Sequence, residues 1–337
     1  MRALALDFES RTAGWREEAE ARPPGRGEVL FEVHQVGICG TDRELARFSF
    51  GEPPPGESHL VLGHEALGRV VETGADVRGL KPGDWVVPVV RRSCTPPCRC
   101  CAAGRRDLCL TGGYRERGIT GVHGYFTSHA LDAAEDLIRV PEAALDYAVL
   151  VEPLSVVEKA VEAARRAHPE RPESAVVLGA GPIGLLAAMV LHVGGMPVTV
   201  CSREDSDNPR VRWLKEAGIP YATPERPPAR AGIVIEAAGN VEAAGLGLRL
   251  LGPQGVLVVI GAPEVPPISG YRLIVHNLTV LGVVNAAPAH FELGLSDLAK
   301  MDRRWLGQIV ERRAAASALE SLAGPTAVPK VVHILAE

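Results

Sequence analysis

Aromatic residues are scarce in this chain, at 4% of 337 positions, so few side chains are available to stack on nucleic-acid bases. An excess of positive charge is missing as well. The formal net charge is −5, which argues against a nucleic-acid-binding role. No run of about 18 apolar residues occurs, so the sequence predicts no membrane-spanning helix. Asp7 and Glu9 end the opening apolar stretch too early for a secretory signal. These absences lead to the expectation of a cytoplasmic protein with neither nucleic-acid nor membrane partners.

At 46% hydrophobic and 23% charged, the composition is that of a folded globular enzyme, and 337 residues leave room for two domains. The seven cysteines bear on redox state. In a reducing compartment, clustered thiols bind metal more often than they form disulfides.

The first half reads as short strands broken by glycine and proline. Val29–Val33, Ala66–Glu72 and Asp84–Pro88 carry β-branched residues between turn signals. The character changes near Pro153. Leu154–Ala167 has helical apolar spacing, and Ser174–Leu178 reads as a buried strand. A helix over about 183–193, then strands at Pro197–Cys201, Ile233–Glu236 and Gly255–Ile260, predict a parallel, doubly wound sheet. The closing run Val331–Ile334 is expected to return to the first domain. The expected division is 1–153 with 287–337, and 154–286.

Gly179-Ala180-Gly181-Pro182-Ile183-Gly184 follows the first of those buried strands and opens a helix. That is the context in which G-x-G-x-x-G binds a dinucleotide: a tight turn, close backbone approach to the pyrophosphate, and a helix N-terminus facing it. The bland alternative is an ordinary strand–helix turn. An NAD site usually places an acid at the end of the second strand. Here that stretch is Val200-Cys201-Ser202-Arg203-Glu204, with no acid before Arg203. Ser202 and Arg203 suit a 2′-phosphate, which favours NADP. Glu204 and Asp205 leave NAD use open. Arg203 could also be only a solvated charge. Cys201 reads as a small apolar residue.

Two clusters have metal-ligand chemistry. Cys94, Cys98, Cys101 and Cys109 fall within 16 residues, as a closed structural zinc site requires. A redox pair or free thiols would be the alternatives, with Cys100 a spectator. The second cluster comprises Cys39, in Gly37-Ile-Cys39-Gly-Thr41-Asp42, and His64, in Gly63-His64-Glu65, 25 positions later. A catalytic zinc keeps one position open and takes three protein ligands. The third candidates are Glu65 and Glu152, the latter also readable as a carboxylate favouring a helix start. Such a site ahead of a dinucleotide turn points to metal-dependent alcohol oxidation.

With these residues placed, the chain resembles the zinc-dependent medium-chain dehydrogenases over nearly its full length, in their glucose dehydrogenase branch. The motifs are Gly-Ile-Cys-Gly-Thr-Asp-Arg-Glu at 37–44, Gly-His-Glu-Ala-Leu-Gly at 63–68, Val-Val-Pro-x-x-Arg-Arg over 86–92, Pro153-Leu154 and Glu158-Lys159. The resemblance implies a GroES-like, mostly β catalytic domain and a Rossmann cofactor domain. It implies catalytic zinc ligands at Cys39, His64 and Glu65, with Glu152 as ligand or as partner of the zinc water and sugar. Thr41 would lie by the reacting hydroxyl, and Glu116 and His290 would contact the sugar. Without the resemblance, Glu116 and His290 read as solvated loop residues. A homodimer or homotetramer is also implied.

The chain departs from that pattern in two places. Three residues separate Cys94 from Cys98 where the family usually has two. Val90 replaces a residue that is polar in some relatives and contacts the sugar there, so strict glucose specificity is not implied. The reading is oxidation of an aldose at C1, with D-glucose as the first candidate substrate and the lactone as product. The alternatives are a zinc dehydrogenase of another sugar, a polyol, threonine or a simple alcohol, and a non-catalytic NADP-binding relative.

Overall fold

The computed structural model describes residues 1–261, 269–324 and 328–336. The chain forms two compact units. One contains Met1–Pro153, Asn285–Ala299 and the stretch from Val310; the other contains Leu154–Val284 and Lys300–Ile309.

The first unit is built on the long strand Glu28–Ile38. Its apolar residues alternate as Val29, Phe31 and Val33, then change phase to Val36 and Ile38. One phase change needs one extra residue, and the register against Glu65–Thr73 does shift between Val33 and Gln35. That bulge keeps both halves of the strand buried up to the start of Cys39. The sheet runs in the order Leu137–Arg139, Trp85–Pro88, Glu65–Thr73, Glu28–Ile38, Lys330–Ile334, Val310–Ala314. His129–Ala133 also pairs with Glu28–Ile38. Leu4, Leu6, Phe31 and Phe126 are among the side chains that fill the core of this unit.

Gly37 pairs directly with Glu65 across this sheet. A Cβ at position 37 would lie 2.1 Å from Glu65 Oε2. Only a bare backbone lets the Glu65 side chain occupy that space.

The second unit is a six-stranded sheet whose pairings are all parallel. Its order is Tyr221–Ala222, Val198–Cys201, Ala175–Leu178, Ala231–Glu236, Leu251–Val259, Thr279–Gly282. Numbered along the chain these strands lie 3-2-1-4-5-6, the order of a dinucleotide-binding sheet. The order reverses between Ala175–Leu178 and Ala231–Glu236, and ligands bind such sheets at the reversal. The strands are short and apolar because both faces are covered; Ala175–Leu178 is buried at every position.

The division departs from expectation in two places. Asn285 and Ala286 belong to the first unit, where the Asn285 amide donates to Glu116 at 2.8 Å. Lys300–Ile309 belongs to the second. There the helix Arg303–Ile309 packs on Pro209–Glu216, and the buried Trp213 indole donates to the Trp305 carbonyl at 2.9 Å. A buried indole N–H needs an acceptor, and this carbonyl supplies it.

Candidate active site

Cys39 caps the helix Gly40–Ala46. The Thr41 N–H donates to its Sγ at 3.2 Å, and its own N–H donates to Asp42 Oδ2 at 2.8 Å. The other Asp42 oxygen faces His64 Nδ1 at 3.3 Å. In the neutral ring, a carboxylate beside Nδ1 favours the proton there and leaves the lone pair on Nε2. Nε2 points at Cys39 Sγ, 3.3 Å away. Burial works against a charged His64 imidazole, but Asp42 and Cys39 outweigh it and raise the pKa well above the ordinary histidine value.

Ligand atoms of Cys39, His64 and Glu65 all lie within 4.8 Å of one another. Glu65 is almost fully buried, and Lys330 Nζ donates to both of its oxygens at 2.6 Å. Lys330 is itself 2% exposed. Burial alone would lower its pKa; Glu65 and Cys39 raise it instead. Each carboxylate oxygen keeps a second lone pair beyond the one Lys330 uses. One thiolate, one imidazole nitrogen and one carboxylate oxygen at this spacing fit a zinc ion with a fourth position open. Glu152 starts the helix Val151–Ala167 and lies outside this closed set. Its pKa is raised to about 7, mainly by burial, with His64 opposing and Glu65 adding.

The four sulfurs of Cys94, Cys98, Cys101 and Cys109 also gather within 4.8 Å, without Cys100. Cys94 and Cys101 approach to 3.7 Å. The Leu110 N–H leads the backbone donors that bring the Cys98 thiol down to about 6; burial pushes Cys101 up to about 12. Thiolates from four such groups fit a closed zinc site, with three residues between Cys94 and Cys98 accommodated.

Glu57, His59 and His123 form a third close group. His123 Nδ1 accepts the Val61 N–H, so its proton sits on Nε2, which donates to Glu57 at 2.9 Å. The nitrogen facing the group is therefore protonated and is not a ligand.

Glu116 is tied into the fold of the first unit. Arg91 pairs with its Oε1 at 3.0 Å, and Asn285 donates to the same oxygen. Arg91 is buried and lies 3.7 Å over the Tyr114 ring. His290 is 3% exposed in the first turn of Pro288–Leu298, and its Nδ1 accepts the Ala287 N–H at 3.0 Å. Neither is a solvated loop residue. Val90 is buried and carries no polar group.

In the second unit, a cleft of about 520 Å³ opens at the sheet reversal, lined by Gly179, Ala180, Gly181, Ser202, Arg203 and Ala238 among others. Gly179 has φ of +104°, and a Cβ at Gly184 would lie 2.0 Å from the Gly179 carbonyl. The turn closes only without side chains at these two positions. Gly181 caps the helix and Pro182 opens it, where the missing N–H costs nothing. Pro182, Ile183 and Gly184 shape the helix start and do not line the cleft. Ser202 lines the cleft, and its hydroxyl donates to Tyr221 Oη at 3.1 Å. Arg203 is exposed at the rim. Burial pushes the Cys201 thiol up to about 11, as for a small apolar residue.

The family pattern "Glucose dehydrogenase C-terminus" matches residues 145–324, and "Alcohol dehydrogenase GroES-like domain" matches 25–142. A glucose 1-dehydrogenase of Methanocella arvoryzae is 39% identical over 86% of this chain and 85% of its own length. One from Thermoproteus tenax is 40% identical over 84% and 83%. This chain belongs to the glucose dehydrogenase branch of the zinc-dependent medium-chain dehydrogenases. The Haloferax mediterranei glucose dehydrogenase, solved in complex with NADP, Zn and gluconolactone, superposes with a TM-score of 0.90 at 29% identity, covering all of both chains. The resemblance read from the motifs holds, as does the pairing of a GroES-like domain with a Rossmann sheet. Of the partners that hold the site residues of this branch member, Asp42 lies inside a quoted motif, whereas Lys330 and Tyr221 leave no local trace near the residues they hold.

Proposed function

We propose that this chain is an enzyme that oxidises an aldose at C1, D-glucose first, to the lactone, using zinc and NADP⁺, with NAD⁺ also accepted. One observation carries this: the relative holding NADP, Zn and gluconolactone shares the entire fold, and here Cys39, His64 and Glu65 close to 4.8 Å.

Cys39, His64 and Glu65 hold the catalytic zinc. The Asp42 carboxylate stands beside His64 Nδ1, and Lys330 holds Glu65. When bound, zinc supplies Lewis acidity that makes a hydroxyl easier to deprotonate, and NADP⁺ supplies the hydride acceptor. Thr41 and Glu152 take the hydroxyl proton toward solvent. Glu116 and His290 hold the sugar, with Arg91 and Asn285 orienting Glu116. Gly179, Ala180 and Gly181 receive the pyrophosphate, with Pro182 to Gly184 forming the helix start behind them, and Arg203 receives the 2′-phosphate. Cys94, Cys98, Cys101 and Cys109 hold a structural zinc.

Assembly into a homodimer or homotetramer is part of the proposal. Among the described residues Thr279–Gly282 is an edge strand, and Val284, Tyr271 and Ile274 are exposed at 66%, 79% and 78%. No helix among the described residues is long and apolar enough to cross a membrane. None of the seven cysteines is in a disulfide, which favours a reducing, cytoplasmic setting.

The test is a panel of aldoses and polyols with NADP⁺ and NAD⁺. D-glucose should be oxidised, faster with NADP⁺ at low cofactor. Inactivity on every aldose would overturn the assignment.

A further inference from the structure

The cleft at the glycine turn holds an ion pair of its own. Glu204 Oε1 lies 3.4 Å from Arg210 Nη1, and both residues line the cleft with Ser202 and Arg203. Their side chains are 21% and 24% exposed, so the pair is partly shielded from water.

Each partner is held by structure that does not depend on the other. Asn208 caps the helix Pro209–Glu216 by accepting the Arg210 N–H at 2.9 Å. The Tyr221 hydroxyl reaches the Glu204 carbonyl at 2.6 Å. Arg203 stands beside them but is exposed. The Glu225 carboxyl is held below its ordinary range by its own backbone N–H and the Thr223 hydroxyl, with the Arg203 charge contributing. Arg249 and Glu242 reach the cleft from the helix Val241–Leu250.

We infer that Glu204 and Arg210 form a specificity pair through which one cleft accepts an adenosine ribose with or without a 2′-phosphate. The inference rests on reading this cleft as the adenosine end of the cofactor site. A guanidinium only donates hydrogen bonds and a carboxylate only accepts them. A 2′-phosphate repels Glu204 and draws Arg210 toward itself, adding a second guanidinium to Arg203. A plain ribose offers a hydroxyl donor instead. Glu204 accepts it, and Arg210 stays on the far side of the carboxylate, offsetting its charge. The pair thus reduces the advantage that Arg203 alone would give the phosphorylated cofactor.

Calorimetric titration with 5′-ADP and 2′,5′-ADP tests this without sugar or turnover, in the wild type, Arg210→Ala and Glu204→Gln. Melting curves confirm that the variants fold. Arg210→Ala should lower 2′,5′-ADP affinity about tenfold and 5′-ADP affinity less. Glu204→Gln should move the ratio the opposite way, toward 2′,5′-ADP. Ratios equal to wild type in both variants, or shifted in the same direction, would overturn the pair while leaving the cofactor site intact. A wild type that binds neither nucleotide would overturn the cofactor reading itself, and the pair with it.

Discussion

Lys330 Nζ donates to both oxygens of Glu65 at 2.6 Å, across 265 positions of sequence. Both side chains are almost entirely buried. Removing one partner of such a pair strands a buried charge.

Lys330→Met should therefore destabilise the first unit by about 3 kcal/mol. It should also weaken zinc retention, because Glu65 loses the group that orients it. Chemical denaturation and zinc analysis after dialysis check both effects. A variant with wild-type stability and full zinc would show that Lys330 does not hold Glu65.

Gly37→Ala places a methyl where Glu65 Oε2 now sits. The carboxylate must move, and overpacking of this kind costs about 1–3 kcal/mol. Catalytic-site zinc should fall more than structural-site zinc. Equal retention of both metals, with activity intact, would contradict the packing argument.

The cysteine lobe separates ligand from bystander. Cys98→Ser removes a sulfur from the set of four, and zinc should drop from two ions per chain to one. Cys100→Ser should leave two, since Cys100 lies outside the set. Metal analysis of the two variants decides this; equal loss in both would mean that Cys100 also ligates.

Acid should attack a different network. Asp132 is 5% exposed; burial favours its neutral form, but Arg117 and Arg92 prevail and hold its pKa below the ordinary carboxylate range. Because the folded value lies below the unfolded one, the stabilisation is complete above about pH 4 and is lost as pH falls through the folded value. Asp132→Asn should be less stable than wild type at neutral pH and lose less on acidification. Melting temperatures measured against pH check this, and parallel curves for the two proteins would refute it.

The residues that are legible in sequence are those whose chemistry is local. The glycine turn lies within six positions, between a strand and a helix, and the cysteine lobe within sixteen. Of the strand Glu28–Ile38 only Val29–Val33 reads as a strand in the sequence, because the apolar phase changes between Val33 and Val36. Groups joined only by folding leave no such trace. Lys330 reaches Glu65 from the last strand, and Trp305 takes its helix to Trp213 and so into the second unit. Ser202 shows the opposite limit. Its residue type suits a phosphate, but Tyr221, nineteen positions on, engages the hydroxyl in the fold. Glu116 and His290 have no spacing that marks them. Their burial and hydrogen bonds arise from contacts with Arg91, Asn285 and the Ala287 N–H.

The claim that hydride leaves C1 of an aldose is tested most directly by isotope. The zinc-loaded chain is given D-glucose deuterated at C1 with NADP⁺, and the reduced cofactor is weighed by mass spectrometry. The account predicts that the reduced cofactor carries the deuterium and that the sugar product has lost it. A reduced cofactor without deuterium, formed while glucose is consumed, would contradict it.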